Sequence, residues 1–248
     1  MAFKNKVETL KRNDLLTFLA MLTLAFTVSL IPVLHIPFSW MNTFFHEISH
    51  GLATLLTGGS IKTIELNING SGICWSNGGI RFFTAFSGYA GAVIWGAVIY
   101  VMADNSSPKS ADRIAIFIIS LLSITLVLWA RDLTTSFILI LMIIPFAVIL
   151  KTKELAVEKY FMQFSGLYIV LDALKTPTYL LDGGKRGDGA TLQELTWLPE
   201  IVWILIWLCL GVLTLLFLFR RHIKYEHEKS KTPRPKKLKR KRSPKRSA

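Results

Sequence analysis

LLTFLAMLTLAFTVSLIPVLHI, residues 15–36, runs for the width of a bilayer without an Asp, Glu, Lys or Arg. A hydrocarbon core about 30 Å thick needs roughly 20 apolar residues in a helix, so this stretch reads as a membrane span. FFTAFSGYAGAVIWGAVIYVMA (82–103), RIAIFIISLLSITLVLWA (113–130) and IVWILIWLCLGVLTLLFLF (201–219) read the same way, and shorter or more broken candidates are 38–57, 133–150 and 160–174. Of the 248 residues 52% are hydrophobic and the mean hydropathy is +0.44, which excludes an ordinary water-facing globular surface. The expectation is an all-α polytopic membrane protein with six or seven transmembrane helices.

Charge placement orients the spans. Of the 29 Lys and Arg, fourteen fall in RRHIKYEHEKSKTPRPKKLKRKRSPKRSA, residues 220–248. Rich also in Pro and Ser, this tail cannot build a core and is expected to be disordered and solvated, with His222 and His227 in it. Following a span directly, it is expected to be a cytoplasmic anchor on anionic lipid rather than a nucleic-acid patch. Lys4, Lys6, Lys11 and Arg12 in the N-terminal segment 1–14 put that end on the same side. Two cytoplasmic ends require an even number of crossings, which favours six spans within a membrane-embedded domain over 15–219. The first span is expected to be retained, because its apolar part is too long for a signal peptide and no small-x-small cleavage site follows it. Cys74 and Cys209 are too few and too far apart for a disulfide framework or a Cys-based metal site, and read as small hydrophobes.

Two connecting regions have their own character. GGSIKTIELNINGSGICWSNGG, residues 58–79, alternates Ile64, Leu66 and Ile68 with Glu65, Asn67 and Asn69, a period of two that predicts a β-hairpin over about 61–75 turning at NGSG. Such a hairpin is unstable alone and must pack on something. KTPTYLLDGGKRGDGATLQELTWLP, residues 175–199, is rich in Gly and charge and links two apolar helices.

The stretch FFHEISHGLATLLTGG, residues 44–59, carries the chemistry. On a helix His46 and His50 are i and i+4, so both imidazoles project from one face and can occupy adjacent corners of one zinc tetrahedron. Glu47, one step round, can take a proton from water beside the metal and pass it to a leaving amine. This is the HExxH arrangement of zinc peptidases. Ionisable groups at membrane depth are costly unless they pair or bind something, so the competing reading is a hydrogen-bonded cluster that ties helices together. The remaining residues take plainer readings: His35 as an interfacial polar group, the tryptophans, Trp197, Trp203 and Trp207 among them, as lipid-interface anchors, and Gly88, Gly91 and Gly96 as sites of close helix packing.

With these residues in view, the chain resembles the site-2 protease family of intramembrane zinc metalloproteases, and more closely its peptidase M50B-like branch. HEISHGLATLLTGG resembles the family's HExxHAxAAxxxGG helix, INGSGICWSNGG followed by RFFTAFSGYAGAVIWGA its glycine-rich hairpin and third helix, and GLYIVLD, GDGATLQELT and PEIVWILIW its later segments. Gly187-Asp188-Gly189 stands where the branch has S-D-A, and Ser87-Gly88-Tyr89 where other branches have A-G-P. The resemblance implies one zinc ion, a transmembrane protein as substrate, peptide-bond hydrolysis within or at the edge of the bilayer, and an aspartate as third ligand.

Three aspartates compete for that role. Asp182 stands in PTYLLDGG, Asp188 in KRGDG, and Asp172 in GLYIVLDAL. Asp172 is preferred, because a lone carboxylate in an apolar helical run is costly without a partner, whereas a loop carboxylate can be satisfied by water, Lys185 or Arg186. Two functions fit the sequence: a zinc endopeptidase with Glu47 as general base, and a non-proteolytic membrane scaffold or carrier that keeps the fold, with or without the metal.

Overall fold

The computed structural model describes residues 2–104, 108–152, 154–182 and 187–231. Its elements, in order, are α1 (Ala2–Leu30), α2 (Pro32–Leu56), β1 (Ser60–Leu66), β2 (Gly72–Asn77), α3 (Arg81–Asp104), α4 (Pro108–Leu128), α5 (Leu133–Thr152), α6 (Leu155–Lys175), a 3₁₀ turn over Thr176–Asp182, α7 (Asp188–Thr196) and α8 (Glu200–Lys231). The molecule is thus a helical bundle with one hairpin directly after the HExxH helix.

The first apolar run is not one straight span. Pro32 disfavours the helical conformation at the residue before it, and Ile31 is extended with φ −102° and ψ 105°. Proline is well placed at the first turn of a new helix, where its missing N–H is not needed. The chain therefore turns by 107° between α1 and α2, and residues 32–36 belong to the HExxH helix. Among the described residues three helices, α3, α5 and α8, are long and apolar enough to cross a membrane, and the bent α1–α2 pair makes a fourth if it counts as one span. That is fewer than the six or seven expected. The charges of α6, which include Glu158, Lys159, Asp172 and Lys175, set it apart from those helices.

Helix α8 continues past the apolar run to Lys231. The boundary expected at residue 220 is therefore not a break in structure. His222 is buried against Tyr100 and Phe18, with its Nδ1 2.8 Å from the Tyr100 hydroxyl, because α8 packs along α1 and α3 beyond the last hydrophobic residues. It is a core residue, not a solvated one. The basic residues 232–248 lie outside the described residues, as does the side chain of His227.

The hairpin forms because it has a surface to pack on. β1 and β2 pair antiparallel, with Ile64 opposite Cys74 and Leu66 opposite Gly72. Ile61, Ile64 and Leu66 enter the main core with Phe44 and Ile48 of α2 and with Ile138 of α5. The outer edge of β1 is satisfied: the Ile64 N–H donates to the Trp129 carbonyl at 3.1 Å and the Leu66 N–H to the Thr135 hydroxyl at 2.9 Å. Helix α2 holds the other side, where the Trp40 indole N–H donates to Asn67 O at 3.0 Å and the Thr43 hydroxyl to Gly70 O at 2.6 Å. Gly70, with φ +86°, closes the turn in a conformation that a side chain would strain. Among the described residues no further strand pairs with β2.

Helices α3 and α6 meet almost backbone to backbone. A Cβ on Gly166 would lie 2.6 Å from Gly96 O and 2.7 Å from Tyr100 N, and one on Gly96 would lie 2.7 Å from Gly166 O. Small residues at a helix interface are what allow such an approach. Gly166→Val is expected to lower the thermal unfolding midpoint of the detergent-solubilised protein by several degrees, in line with an overpacking cost of about 1–3 kcal/mol. An unchanged midpoint would show that the two helices can separate without loss.

Candidate metal centre

Helix α2 presents His46 and His50 on one face, and α7 brings Asp188 against them. His46 Nε2 and His50 Nε2 lie 2.9 Å apart, and Asp188 Oδ2 is 3.1 Å from the first and 3.3 Å from the second. Ligands at about 2.0–2.1 Å from a tetrahedral ion stand about 3.3 Å from one another. The triangle fits that requirement, slightly contracted, and among the described residues it is the group of His, Cys, Asp and Glu side chains that could hold a metal ion.

The surroundings prepare these atoms. The His50 Nδ1–H donates to the Thr84 carbonyl at 2.7 Å, which fixes the tautomer and leaves the Nε2 lone pair facing Asp188, as in metal sites whose histidines are oriented from behind. Gly88 of α3 lies directly beneath both rings: a Cβ there would meet His50 Cε1 at 2.5 Å and His46 Nε2 at 2.6 Å. This glycine serves the site, whereas Gly91, against Ser49, and Gly96 serve helix packing as expected. The ring of Tyr89 stands edge-on to His46 with centroids 4.5 Å apart.

Asp188 is delivered by local backbone geometry. Gly187, with φ +90°, precedes the first turn of α7, and a residue with a side chain would be strained there. Leu192 of α7 is fully buried among Phe82, Phe86, Trp203 and Trp207 of α3 and α8, and Arg81 forms an exposed ion pair with Glu194 at 3.3 Å. Burial disfavours the charge on Asp188, but in their protonated forms His50 and His46 beside it outweigh that and hold its carboxyl below the usual carboxylate range.

Glu47 is 5% exposed and faces the hairpin. A Cβ on Gly72 would sit 2.9 Å from Glu47 Cγ and 3.1 Å from Glu47 Oε1, so this end of β2 lies against the Glu47 side chain. Burial, with the Glu47 charge adding to it, pushes the Cys74 thiol up to about 12. That thiol is partly buried, while Cys209 is exposed rather than a core residue, and both are free.

His46, Glu47, His50, Cys74, Tyr89 and Asp188 line one cavity of about 1210 Å³, whose walls are α2, β2, the start of α3, the end of α6 and the segment Gly187–Thr191. Asp172 also lines it, but the carboxylate at the histidines is Asp188. This corrects the preference for Asp172. Its partner in the apolar helix is Asn42, whose Nδ2 donates to Asp172 Oδ2 at 3.0 Å. The loop carboxylate, in turn, is not left to solvent but folded inward by α7. Asp182 closes the 3₁₀ turn, and its side chain lies outside the described residues.

Other residues change role as well. His35 lies on α2, lines the cavity and pairs with the Tyr168 hydroxyl at 2.6 Å. Trp203 and Trp207 are buried, and the Trp207 indole N–H donates to Phe86 O at 3.2 Å, whereas Trp197 is exposed. Asn42 was not singled out from the sequence, although its spacing of four from His46 places it on the same helical face.

No curated relative and no solved structure matches the chain. The family described as Peptidase M50B-like does, over residues 19–218. That range takes in the HExxH helix, the hairpin, Asp188 and nearly all of the apolar part of α8, and with the metal-competent triangle in place the chain belongs to the peptidase M50B-like branch of the site-2 protease family.

Proposed function

We propose that this protein is an integral-membrane zinc endopeptidase that hydrolyses peptide bonds of membrane-protein substrates, with His46, His50 and Asp188 as metal ligands and Glu47 as general base. The observation that carries this reading is the triangle of ligand atoms at 2.9–3.3 Å spacing, beside Glu47 and open to one cavity. Two neutral imidazoles and a carboxylate are the donor set of a catalytic zinc site, which keeps its fourth position for water or substrate. Bound there, zinc would supply a Lewis acid that polarises the scissile carbonyl and acidifies water.

The protein's own groups do the rest. Glu47 accepts a proton from the attacking water and returns it to the departing amine, so a single carboxylate serves as base and then acid. The Gly72 end of β2 packs against the Glu47 side chain, and Thr84 keeps His50 in the tautomer that points its Nε2 inward. A transmembrane substrate has its carbonyls hydrogen-bonded within its own helix and must be partly unwound before attack. β2 lines the cavity and is paired on one side by β1, so its other edge suits an unwound segment added as a strand.

Substitution should separate the roles. His46→Ala, His50→Ala and Asp188→Asn are expected to lose the metal, whereas Glu47→Gln keeps it and loses about 10²–10⁴-fold in cleavage of a single-span substrate. Metal content by elemental analysis, together with proteolysis in detergent, checks this. Full zinc occupancy after loss of both histidines would end the zinc reading, and cleavage by Glu47→Gln at the wild-type rate would remove its role as base.

Gly88→Ala tests the fit beneath the rings. Its Cβ would displace both imidazoles, so metal occupancy should fall well below that of the wild type while the helical circular dichroism is retained. Undiminished occupancy would mean that the rings can shift without cost.

The basic ends extend the reading to topology. We place both termini in the cytoplasm, with an even number of crossings and the tail on anionic lipid. Reporter fusions at residues 1 and 248 should report the same side, and the isolated tail peptide should bind anionic vesicles with affinity that falls steeply with salt. Opposite sides for the two reporters would refute the even count, and a preference for nucleic acid over vesicles would refute the anchor.

A further inference from the structure

The cavity has a second polar end that the metal chemistry does not use. Along α2 the cavity-lining residues His35, Ser39, Asn42 and His46 follow one helical face, and Asn42 stands one turn before His46. Asp172 projects from α6 to meet it. Both side chains are buried, Asn42 at 4% and Asp172 at 2% exposure, and Asn42 Nδ2 donates to Asp172 Oδ2 at 3.0 Å. The two remaining oxygens, Asn42 Oδ1 and Asp172 Oδ1, have no hydrogen-bond partner. Each is an acceptor, and both belong to residues of the cavity wall.

Buried acceptors without donors are costly, and the ligand that suits them is a donor. An anion would be repelled by Asp172, and an apolar side chain would leave both oxygens unpaired. A backbone amide brings one N–H and no charge. An ammonium or guanidinium brings several donors, no acceptor and the opposite charge. The basic side chains near Asp172 are His35, whose Nδ1 is paired with Tyr168, and Lys175 at the exposed end of α6. A second metal is disfavoured because Asp172 belongs to no group of metal-ligating side chains among the described residues.

We propose that Asn42 and Asp172 form a specificity subsite for a Lys or Arg side chain of the substrate. Four residues of helix rise span about 6 Å, which is about two residues of extended peptide. The basic residue therefore sits about two positions from the scissile bond. This rests on the peptidase reading, because it takes the triangle at His46 as the point of cleavage.

The test uses the zinc-loaded full chain in detergent and single-span peptides that differ only in carrying Lys, Arg, norleucine or Glu at each position within about three residues of the cut. Lys or Arg at one position is expected to raise kcat/KM about tenfold over norleucine, through KM, with Glu below both. In Asp172→Asn the ratio of Lys to norleucine should collapse toward one. Binding of the same peptides to Glu47→Gln, followed by fluorescence anisotropy, should show the same preference without turnover. Equal kcat/KM for Lys and norleucine at every position in the wild type overturns the subsite and leaves the peptidase standing, whatever the fate of Asp172→Asn. A ratio that survives in a folded Asp172→Asn also overturns it and makes the pair a tie between α2 and α6. If the wild type cleaves none of the peptides, the peptidase reading fails, and anisotropy alone decides the subsite: a tenfold Lys preference supports it and equal binding refutes it.

Discussion

Ionisable side chains inside an apolar bundle must find partners, and the arrangement of this protein follows from that constraint. His46, Glu47, His50, Asp172 and Asp188 all border one cavity among helices built mainly of Leu, Ile, Val and Phe. A buried charge without a partner costs more than any single packing contact returns. Partners meet much of this polarity: His50 is met by Thr84 and Asp188, Glu47 by the Gly72 end of β2, and one oxygen of Asp172 by Asn42. Those partners come from α3, α7, β2 and α2, so the polar groups fix which elements must surround α2 and at what depth.

The hairpin and α7 are the elements that the constraint makes necessary. Neither is long enough to be stable alone. β1 is held because Ile64 and Leu66 are buried and its backbone is satisfied by Trp129 and Thr135. α7 is held because Leu192 is buried against aromatic residues of α3 and α8. In return they carry the Gly72 end of β2 and the Asp188 carboxylate to the HExxH helix. Short, weakly helical or extended segments do this because they can bring exposed backbone and a carboxylate close to α2, which a continuous helix with an internally satisfied backbone could not.

What could be read in the sequence was what is encoded locally. The spacing of His46, Glu47 and His50 is a helical relation within one turn, and the alternation in 58–79 is a strand relation within one hairpin, so both were legible. The third carboxylate was not. Asp172 seemed to lack a partner only because its partner, Asn42, lies 130 residues earlier, and Asp188 seemed solvated only because the packing of Leu192 is a tertiary fact. His35 was misplaced for a different reason: apolar run length ignored the break at Pro32, which moves residues 32–36 from the end of one span to the start of the HExxH helix. The same measure stopped the last helix at residue 219, although His222 and Tyr100 are paired beyond it.

The break at Pro32 has a consequence for the chemistry. Had α1 run straight through residue 36, His35 would have ended a lipid-facing helix. Turned by 107°, the chain instead lays His35, Ser39, Asn42, His46 and His50 along one face of α2, at spacings of three and four. One helix then supplies polar groups to both ends of the cavity, with Glu47 beside them. The separation of those groups is set by helix geometry, about 1.5 Å per residue, and not by the packing of independent elements. A substrate strand lying along α2 would meet them in a fixed register. That register sets the spacing between the metal-competent triangle at His46 and His50 and the Asn42–Asp172 pair.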